Sequence, residues 1–387
     1  MAKPMRILFG ITSKSHIEIA LDEMYGLQDI GYICDEFEFG GKKAYKSAVA
    51  RLYVLFLNTF KLLIKTYKFK PNFIYLNSRL EFLASARDFI TILIIKILYY
   101  KKVHFLIKSH GSDLEVLITK KFFFKSIVFP FLNKYVSGWL FLSSEELNWI
   151  TTNDLLNTNK LFLTKNIVRL EKFQVDNMFR EKLDIPKDCT ILLFVGRLIK
   201  EKGIHYVIDS YVEVRDRFKV FLIIVGDGQE LAAVTEKIEQ LNIKNDVLVT
   251  EWIDENEVAY YTSNSDVLIF PTFFPEGFPM VLFNSLAAGL AIITTPIRAA
   301  YDYLEDPKNC LWVEPRSSIS ITKALDKLLV DNHLKEQMQI NNMKKVQLFI
   351  KEIVSQELSS ILKSIKSREC NKNFQEDQKK MVNANCV

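Results

Sequence analysis

The sequence predicts an α/β protein made of two similar domains, and three observations support this fold class. Short apolar segments of strand length alternate with helical patterns in both halves of the chain, which is typical of parallel α/β sheets. This alternation stops and begins again after residue 165. The 387 residues suit two or three domains of ordinary size. Apolar residues make up 49% of the chain and charged residues 25%, which excludes a disordered or fibrous protein.

Ten segments have the length and apolar character of buried strands. Five precede residue 165: Arg6–Ile11, Ile33–Phe39, Phe73–Asn77, Val103–Lys108 and Gly138–Ser143. Five follow it: Thr190–Val195, Lys219–Val225, Val247–Thr250, Val267–Phe270 and Ala291–Thr294. Helical patterns lie between them, as where apolar residues recur at spacings of three and four from Ile204 to Val212.

This rhythm sets the expected domain limits. We expect an N-terminal domain at 1–167, a C-terminal domain at 168–345, and a helix at 346–367 that packs back on the N-terminal domain. Residues 368–387 are polar, which predicts a frayed tail.

The cysteines and the apolar runs bear on the cellular compartment. The five cysteines are scattered without a CxxC pair, so reduced thiols of a cytoplasmic protein are expected. The N-terminal residues do not have the pattern of a signal peptide. The most apolar later runs, Leu52–Ile64 and Phe89–Tyr100, each contain a lysine and are shorter than the roughly 20 residues that span a bilayer.

The N-terminal half contains a strongly basic block. Residues 40–112 carry 14 Lys and Arg against 2 Asp and Glu, which predicts an anionic partner. A predicted helix in this block has a basic face and an apolar face: Lys61, Lys65, Lys68, Arg51 and Asn58 on the first, and Leu52, Leu55, Phe56, Leu62 and Leu63 on the second. Together with Phe122–Phe124, this pattern favours docking on an anionic membrane surface. The alternative is a helix packed into its domain with solvated lysines, and nucleic acid is disfavoured because no recognition motif accompanies the charge.

The strongest local motif follows the first strand of the second domain. It reads Phe194-Val-Gly-Arg-Leu-Ile-Lys-Glu-Lys-Gly203 and opens a helix. Gly196 allows a turn, while Arg197 and Lys202 bring two cations to the point where helix amides begin. Amides and cations in this arrangement suit a diphosphate. The alternative is a solvated basic loop.

Two further motifs lie at strand ends of the second domain. Gly226 begins a GDG turn, which is weak evidence because any tight turn between a strand and a helix can use it. The segment from Pro271 to Gly289 carries Glu276 in a loop and starts a helix near Pro279. Glu276 and Asn284 are eight residues apart, so we expect both on nearly one side of the helix. There a carboxylate can accept hydroxyl groups, although a plain capping acid is the alternative.

In the first domain, His110 follows a predicted strand and precedes a glycine. A single histidine is more often structural, but this one lies at the edge where open α/β sheets bind ligands, which favours a function. No DxD pair, phosphate-binding GxxxxGK[ST] loop or GxSxG nucleophile turn occurs in the sequence.

Taken together, these motifs resemble glycosyltransferase family 4, the retaining nucleotide-sugar transferases of the GT-B fold. The similarity extends over about residues 5–365 and is most specific in 190–295, where VGRLIKEKG, GDG and EGFPMVLFNSLAAGLAIITT occur in family order and spacing. The stretches SHG, SSEE and KNIV match weaker family landmarks. The resemblance implies two Rossmann-like domains that face each other across a cleft.

The resemblance also implies roles for individual residues. Arg197 and Lys202 match the basic pair that holds the donor pyrophosphate and stabilises the leaving group. Glu276 matches the first Glu of the E-x7-E motif, which contacts the donor sugar, and His110 matches the histidine near that sugar. The implied donor-binding positions are Gly196, Gly226, Gly277, Phe278, Pro279, Met280 and Asn284.

The sequence departs from the family pattern at several positions. Asn284 replaces the second Glu, the usual ribose ligand, and an amide has only one acceptor oxygen and no charge. Three places where the family has glycine differ here: the loop Thr12–His16, Glu251, and Arg298 with the alanines after it. These differences bear on donor affinity and nucleotide identity.

We therefore expect a retaining glycosyltransferase that moves a sugar from a nucleotide-diphosphate donor to a lipid-linked glycan or lipid, in cell-surface polysaccharide or glycolipid synthesis. The resemblance implies front-face attack assisted by the leaving phosphate, with no cofactor and no metal. The protein is expected to be cytoplasmic and peripheral on the inner face of the cell membrane. Two alternatives stay open: a pseudoenzyme that has lost donor binding, and a GT-B sugar-nucleotide epimerase.

Overall fold

The structure is a computed structural model that describes residues 3–11, 17–39, 47–112, 122 and 124–384. The chain divides into two compact units, residues 1–167 with 351–387 and residues 168–350. Each unit contains a parallel six-stranded sheet, so the predicted α/β fold class is confirmed. The loop Thr12–His16 and most of the segment Lys120–Phe123 lie outside the described residues.

Strands and helices alternate along the first unit. Its strands are β1 (Arg6–Ile11), β2 (Ile33–Glu38), β3 (Phe73–Ser78), β4 (His104–Ser109), β5 (Val136–Phe141) and β6 (Leu161–Leu163). Its helices before residue 167 are α1 (Ile17–Asp29), α2 (Ala48–Phe69), α3 (Phe82–Leu98), α4 (Phe129–Tyr135) and α5 (Ser144–Thr152), and a π-helical turn spans Phe124–Val128.

The second unit repeats this alternation. Its strands are β7 (Thr190–Val195), β8 (Val220–Val225), β9 (Val247–Val249), β10 (Val267–Phe270), β11 (Ala291–Thr294) and β12 (Leu311–Trp312). Its helices are α6 (Phe179–Lys182), α7 (Ile204–Arg215), α8 (Leu231–Gln240), α9 (Glu255–Ser263), α10 (Met280–Ala287), α11 (Arg298–Tyr303), α12 (Ser318–Val330) and α13 (Asn332–Lys345). Helix α14 (Lys351–Ala384) follows and belongs to the first unit.

The first sheet has the strand order β2-β1-β3-β4-β5-β6. Successive strand residues point to opposite faces, so the sheet has a core on each side. Leu8 packs in the core under α2 and α3, whereas Ile7 and Phe9 pack in the core under α1 and α14. The switch in strand order lies between β1 and β3.

Helix α14 packs closely on α1. A Cβ atom added to Gly26 in α1 would lie 2.0 Å from Ser355 Oγ in α14, so glycine permits this approach. The hydroxyl groups of Tyr32 and Ser359 are 2.7 Å apart and hydrogen bond. The helix continues to Ala384, where the sequence predicted a frayed tail from residue 368, because Glu, Gln, Lys and Met in this stretch favour helix.

The second sheet has the order β12-β11-β10-β7-β8-β9, which is the Rossmann order read from β9. The strand order reverses between β7 and β10, which pair through Val267 with Leu192 and Leu268 with Leu193. Helices α7, α8 and α12 cover one face of this sheet, where Ile208, Ile238 and Leu325 are buried in one core. Open α/β sheets bind ligands at such a reversal.

The ten predicted strands are all present, with ends within two residues of those predicted. The sequence missed β6 and β12, which have three and two residues. Both lie at sheet edges, where so short a segment shows no periodicity.

Helix α2 does not divide its faces as the sequence predicted. Leu62 and Leu63 are buried, while Leu52 and Phe56, expected on the same apolar face, are exposed. The exposed side carries an apolar row with spacings of three and four, in which each side chain is 41% to 77% exposed: Val49, Tyr53, Phe56, Phe60, Ile64 and Tyr67. These six residues are the α2 stripe. The helix has more apolar positions than its buried side can hold, which is why a simple two-face division failed.

The predicted apolar patch Phe122–Phe124 is wrong for Phe124. Phe122 is 85% exposed, but Phe124 is fully buried and packs against Phe82 and Phe129. Among the helices in the described ranges, none has both the length and the apolar character that crossing a bilayer requires.

Candidate functional site

Two loops of the second unit leave the sheet where its strand order reverses. The first follows β7 and carries Gly196, Arg197 and Lys202, and the second follows β10 and carries Glu276. Carboxyl ends of parallel strands meet at one edge of a sheet, so the two loops lie side by side. The predicted phosphate and sugar residues therefore lie together at the position where this kind of sheet binds ligands.

The first loop is fastened to the GDG turn. The Gly196 amide donates to the Val225 carbonyl at 3.0 Å, and the Leu198 amide donates to the Asp227 carbonyl at 2.8 Å. A Cβ atom on Gly226 would lie 1.9 Å from the Gly196 carbonyl oxygen, and one on Gly228 would lie 2.4 Å from the Leu198 oxygen. Both glycines of the turn are thus needed for the close approach of the two loops.

The second loop is tied to its surroundings through the backbone. The Phe273 amide donates to the Glu201 carbonyl at 2.8 Å, which joins it to the first loop. The Thr295 hydroxyl donates to the Thr272 carbonyl at 2.5 Å, and Arg298 Nη1 donates to the Pro275 carbonyl at 3.0 Å. These bonds fix the backbone that leads to Glu276.

Two residues that occupy family glycine positions keep a glycine-like backbone. Glu251 has φ 56° and Arg298 has φ 39°, both in the left-handed region that favours glycine. The Glu251 carbonyl accepts from the Gly226 amide at 3.1 Å, and Arg298 is the residue that holds Pro275. Both positions thus have a backbone conformation typical of glycine and carry a charged side chain.

Lys202 and Glu276 form an ion pair between the two loops. Lys202 is only 5% exposed, and its Nζ lies 5.0 Å from the centre of the Phe270 ring and 5.5 Å from that of Phe274. Burial, with a contribution from the charge of Arg197, lowers the pKa of Lys202 to about 7.

Arg197 is exposed and shares an aromatic neighbour with Lys202. Its guanidinium carbon lies 5.2 Å from the centre of the Phe274 ring, a distance at which a cation is attracted to the ring face. The two cations therefore flank one phenylalanine, which the sequence motifs did not single out.

Residues Gly277 to Met280 lead from the loop into α10. Phe278 is 7% exposed and its ring stacks on Phe283 with centroids 3.7 Å apart, so its side chain anchors the loop from inside. Helix α10 begins at Met280 after Pro279. Glu276 therefore precedes the helix by four residues, and the prediction that Glu276 and Asn284 share a helix side is wrong.

Asn284 lines a small pocket in the second unit. Val195, Thr262 and Val281 line it too, as do Lys172 and Glu255, whose Nζ and Oε2 atoms are 3.2 Å apart. The amide therefore lies near an existing pair of opposite charges. The donor-binding role of Asn284 stays a prediction.

His110 lies in the first unit, in the turn after β4. Its Nε2 atom is 2.8 Å from Asn77 Oδ1, and its backbone amide donates to the Ser78 carbonyl at 3.0 Å. The roles of His110 and of the donor-binding residues remain predictions. Sequence reasoning missed Asn77, because a single polar residue at the end of a strand carries no pattern.

In the described part of the chain, no three His, Cys, Asp or Glu side chains are grouped as ligands of a metal ion would be.

Comparison with known proteins finds a family match in the second unit. Residues 175–346 match the family model described as Glycosyl transferases group 1. The family resemblance inferred from the motifs is confirmed at the level of this group.

Two curated relatives illustrate the similarity. The chain is 30% identical over 220 residues to CapM, a capsular polysaccharide biosynthesis glycosyltransferase of Staphylococcus aureus, covering 55% of this chain and 57% of CapM. It is 28% identical over 185 residues to a lipopolysaccharide 1,2-N-acetylglucosaminetransferase of Salmonella typhimurium, covering 46% of this chain and 48% of that protein. The chain spans about half the length of the curated relatives that it matches.

The chain also resembles solved structures along most of its length. The crystal structure of Anabaena HepE in complex with UDP and glucose matches with a TM-score of 0.72 and 14% identity, covering 94% of this chain and 100% of that one. At this identity the likeness shows the fold alone, and the predicted GT-B fold is confirmed.

Proposed function

We propose that this protein, whose second unit is a group 1 glycosyltransferase domain, is a retaining glycosyltransferase. It moves a sugar from a nucleoside diphosphate donor to a lipid-linked glycan or a lipid. The observation that carries the proposal is the position of Arg197, Lys202 and Glu276 on two loops at the strand-order reversal of the second sheet. Binding a sugar diphosphate requires cations for the phosphates and, beside them, a group that accepts hydrogen bonds from the sugar hydroxyls. Arg197 and Lys202 supply the cations, and the Glu276 carboxylate accepts the hydrogen bonds.

The proposed reaction depends on charge stabilisation. The bond between the anomeric carbon and the donor phosphate oxygen breaks, and its electron pair leaves with the nucleoside diphosphate. The acceptor hydroxyl oxygen bonds to the same carbon, and its proton passes to the leaving phosphate oxygen. Arg197 and Lys202 offset the negative charge that develops on the diphosphate. Following the family resemblance, attack comes from the face of the leaving group, so the configuration is retained.

The ion pair of Lys202 with Glu276 couples binding of the donor diphosphate to release of the Glu276 carboxylate. A diphosphate competes with the Glu276 carboxylate for Lys202, because both are anions. When the phosphate takes Lys202, the carboxylate is released next to the position of the sugar, where it can accept hydroxyl groups. No cofactor and no metal are part of the proposal.

The relatives support an acceptor in cell-surface polymers. CapM is described as acting in capsular polysaccharide biosynthesis and the Salmonella protein as a lipopolysaccharide transferase. We place the acceptor of this chain in the same class, a lipid-linked glycan or lipid that is extended into a polysaccharide or glycolipid.

The α2 stripe supports a peripheral position on an anionic membrane surface. Six exposed apolar side chains lie along one line of the helix, and helical geometry puts Lys61 and Lys68 at one edge of that line. Apolar side chains can enter the acyl boundary while lysines meet anionic head groups. The membrane contact proposed here is thus an apolar row with lysines along one edge, on the cytoplasmic face of the cell membrane.

Donor screening by mass spectrometry tests the proposal. The purified protein is incubated with a panel of nucleotide sugars and membrane extract, and a mass gain of one sugar on a lipid-soluble product is expected. The double variant Arg197→Ala, Lys202→Ala is the matched control. A donor sugar converted to its epimer without transfer would indicate an epimerase, and the absence of nucleoside diphosphate binding by calorimetry would indicate a pseudoenzyme.

A further inference from the structure

The contact between Asn77 and His110 lies at the strand-order reversal of the first sheet. Asn77 is at the end of β3 and is completely buried. Its Nδ2 atom donates to the Gly10 carbonyl of β1 at 3.1 Å, and its Oδ1 atom lies 2.8 Å from His110 Nε2. One side chain therefore joins β1, β3 and the turn after β4.

The donor and acceptor ends of the Asn77 amide are distinguishable. The amide has one oxygen, which only accepts, and one NH2 group, which only donates. The Gly10 carbonyl requires the NH2 group, so the oxygen faces the imidazole. Nε2 of His110 must then carry a proton, and in the neutral ring Nδ1 holds the lone pair.

The turn that carries His110 is held by other groups. Arg79 Nε donates to the Gly111 carbonyl at 2.9 Å, and the hydroxyl groups of Ser109 and Ser112 donate to Glu146 Oε1 at 2.7 and 2.5 Å. These bonds position the backbone of the turn. Asn77 instead contacts the imidazole itself, so it affects the orientation of the ring and determines which ring nitrogen carries the proton.

We propose that Asn77 is a positioning residue for His110. It fixes the plane of the ring and keeps the proton on Nε2. The inference rests on the proposed function together with the family resemblance, which implies that His110 lies near the donor sugar.

The proposal has a spectroscopic signature that does not depend on activity. A hydrogen-bonded and shielded ring proton exchanges slowly enough to give a one-bond nitrogen–proton correlation in an NMR spectrum. With the histidines labelled with nitrogen-15, the protein should give this signal for Nε2 of His110, assigned by its loss in His110→Gln. A proton found on Nδ1 of the neutral ring overturns the proposal.

Three variants separate positioning from general packing. Asn77→Leu has a similar size and no acceptor, so the Nε2 signal should disappear. Asn77→Asp keeps an acceptor oxygen and should retain the signal. Ser109→Ala loses one bond of the same turn and should also retain it. An Nε2 proton as well protected in a folded Asn77→Leu as in the unaltered protein overturns the proposal.

Turnover provides the second measurement. Asn77→Leu should lower kcat roughly 10-fold, the scale of one misplaced hydrogen-bonding group, while the KM for the donor changes less than about 2-fold because the phosphates bind in the second unit. Asn77→Asp keeps the acceptor for the ring but loses the donor to the Gly10 carbonyl, so it should recover part of the activity. Equal losses of kcat in Asn77→Leu and Asn77→Asp overturn the role of Asn77 in turnover. If the unaltered protein is inactive but still gives the Nε2 signal, the proposed function is overturned and the positioning of His110 by Asn77 still holds.

Discussion

Lys202 and Glu276 are paired across two loops that leave neighbouring strands of one sheet. In the proposed reaction the first holds the diphosphate and the second holds the sugar. Their contact means that the phosphate and sugar positions are coupled through one ion pair. Lys202 is buried, so this coupling takes place where water screens charge only weakly.

Replacing either cation of the first loop should remove leaving-group stabilisation. We expect Arg197→Ala and Lys202→Ala each to reduce kcat by about 100-fold or more, the scale of losing one preorganised charge-stabilising group. Steady-state turnover with the identified donor is the measurement. Near-normal turnover in both single variants would show that the leaving group lies elsewhere, and far-ultraviolet circular dichroism controls for folding.

Diphosphate binding should take up a proton at pH 8. The pKa of Lys202 is about 7, so above pH 7 the amine loses its charge, while a bound diphosphate favours the charged form and raises that pKa. Affinity should therefore fall as the pH rises from 7 to 9. Calorimetry with UDP, GDP and ADP in buffers of different ionisation enthalpy measures the uptake.

Lys202→Arg is the control for this proton uptake, because arginine stays charged throughout this range. The variant should bind the diphosphate with no proton uptake and with a flatter pH dependence. Unchanged uptake in Lys202→Arg would assign the proton to another group.

Glu276→Gln should harm transfer more than Asn284→Ala, because a carboxylate is present only at the first of these positions. Asn284→Glu should tighten nucleotide binding if the pocket takes ribose, since a carboxylate can accept from two hydroxyl groups. Turnover and calorimetry check the two statements. If Asn284→Ala is the more harmful change, the two residues have been matched to the wrong family positions.

Gly226→Ala should destabilise the second unit by roughly 2–4 kcal/mol, from backbone strain and overpacking together. The added Cβ would lie 1.9 Å from the Gly196 oxygen, and φ is 148°. Gly196→Ala is a close control, because φ is 154° there but the nearest atom is 3.8 Å away. Urea unfolding measures both variants, and equal losses would rule out the steric explanation.

Binding to vesicles that contain anionic lipid should need both the α2 stripe and its lysines. Lys61→Glu with Lys68→Glu should weaken binding mainly at low salt, since each cation near such a surface contributes about 1 kcal/mol and salt screens it. Phe60→Ser with Ile64→Ser should weaken binding at every salt concentration. Co-sedimentation with the vesicles measures both effects.

The control for membrane binding is Lys187→Glu with Lys308→Glu, which makes the same charge change at exposed positions of the second unit. Lys65 is left unaltered because it pairs with Asp35 at 2.8 Å. Vesicle binding by the unaltered protein that is absent or independent of salt would contradict the membrane proposal and favour a soluble acceptor.

Most of the parallel strands were predictable because they are short apolar runs, as in Thr190–Val195. Strand β2, Ile33–Glu38, differs because it carries three acidic residues, and only its length and its place in the alternation indicated it. The phosphate and sugar loops were predictable because a strand end followed by charge is visible locally. The buried face of α2 was not predictable, because all sides of the helix carry apolar residues and only packing selects Leu62 and Leu63 for burial.

Contacts between distant segments were also not predictable from the sequence. Arg298 holds Pro275 across 23 residues, and Asn77 meets His110 across 33. Neither pair belongs to a periodic pattern, and each depends on which strands become neighbours. For the same reason the sequence did not indicate Phe274, whose ring contacts Arg197 and Lys202 only because the two loops lie side by side.

The return of α14 to the first unit affects how the chain matures during synthesis. Residues 168–350 leave the ribosome as a complete unit, whereas the first unit still lacks Leu358, Leu362 and Ile365, which belong to one of its two cores. Until those residues emerge, Met24 and Leu27 of α1 have an incomplete apolar covering. The nascent chain thus exposes this hydrophobic surface through most of translation, and the surface is a natural binding site for a chaperone. A chain that is released just before α14 would keep the surface exposed.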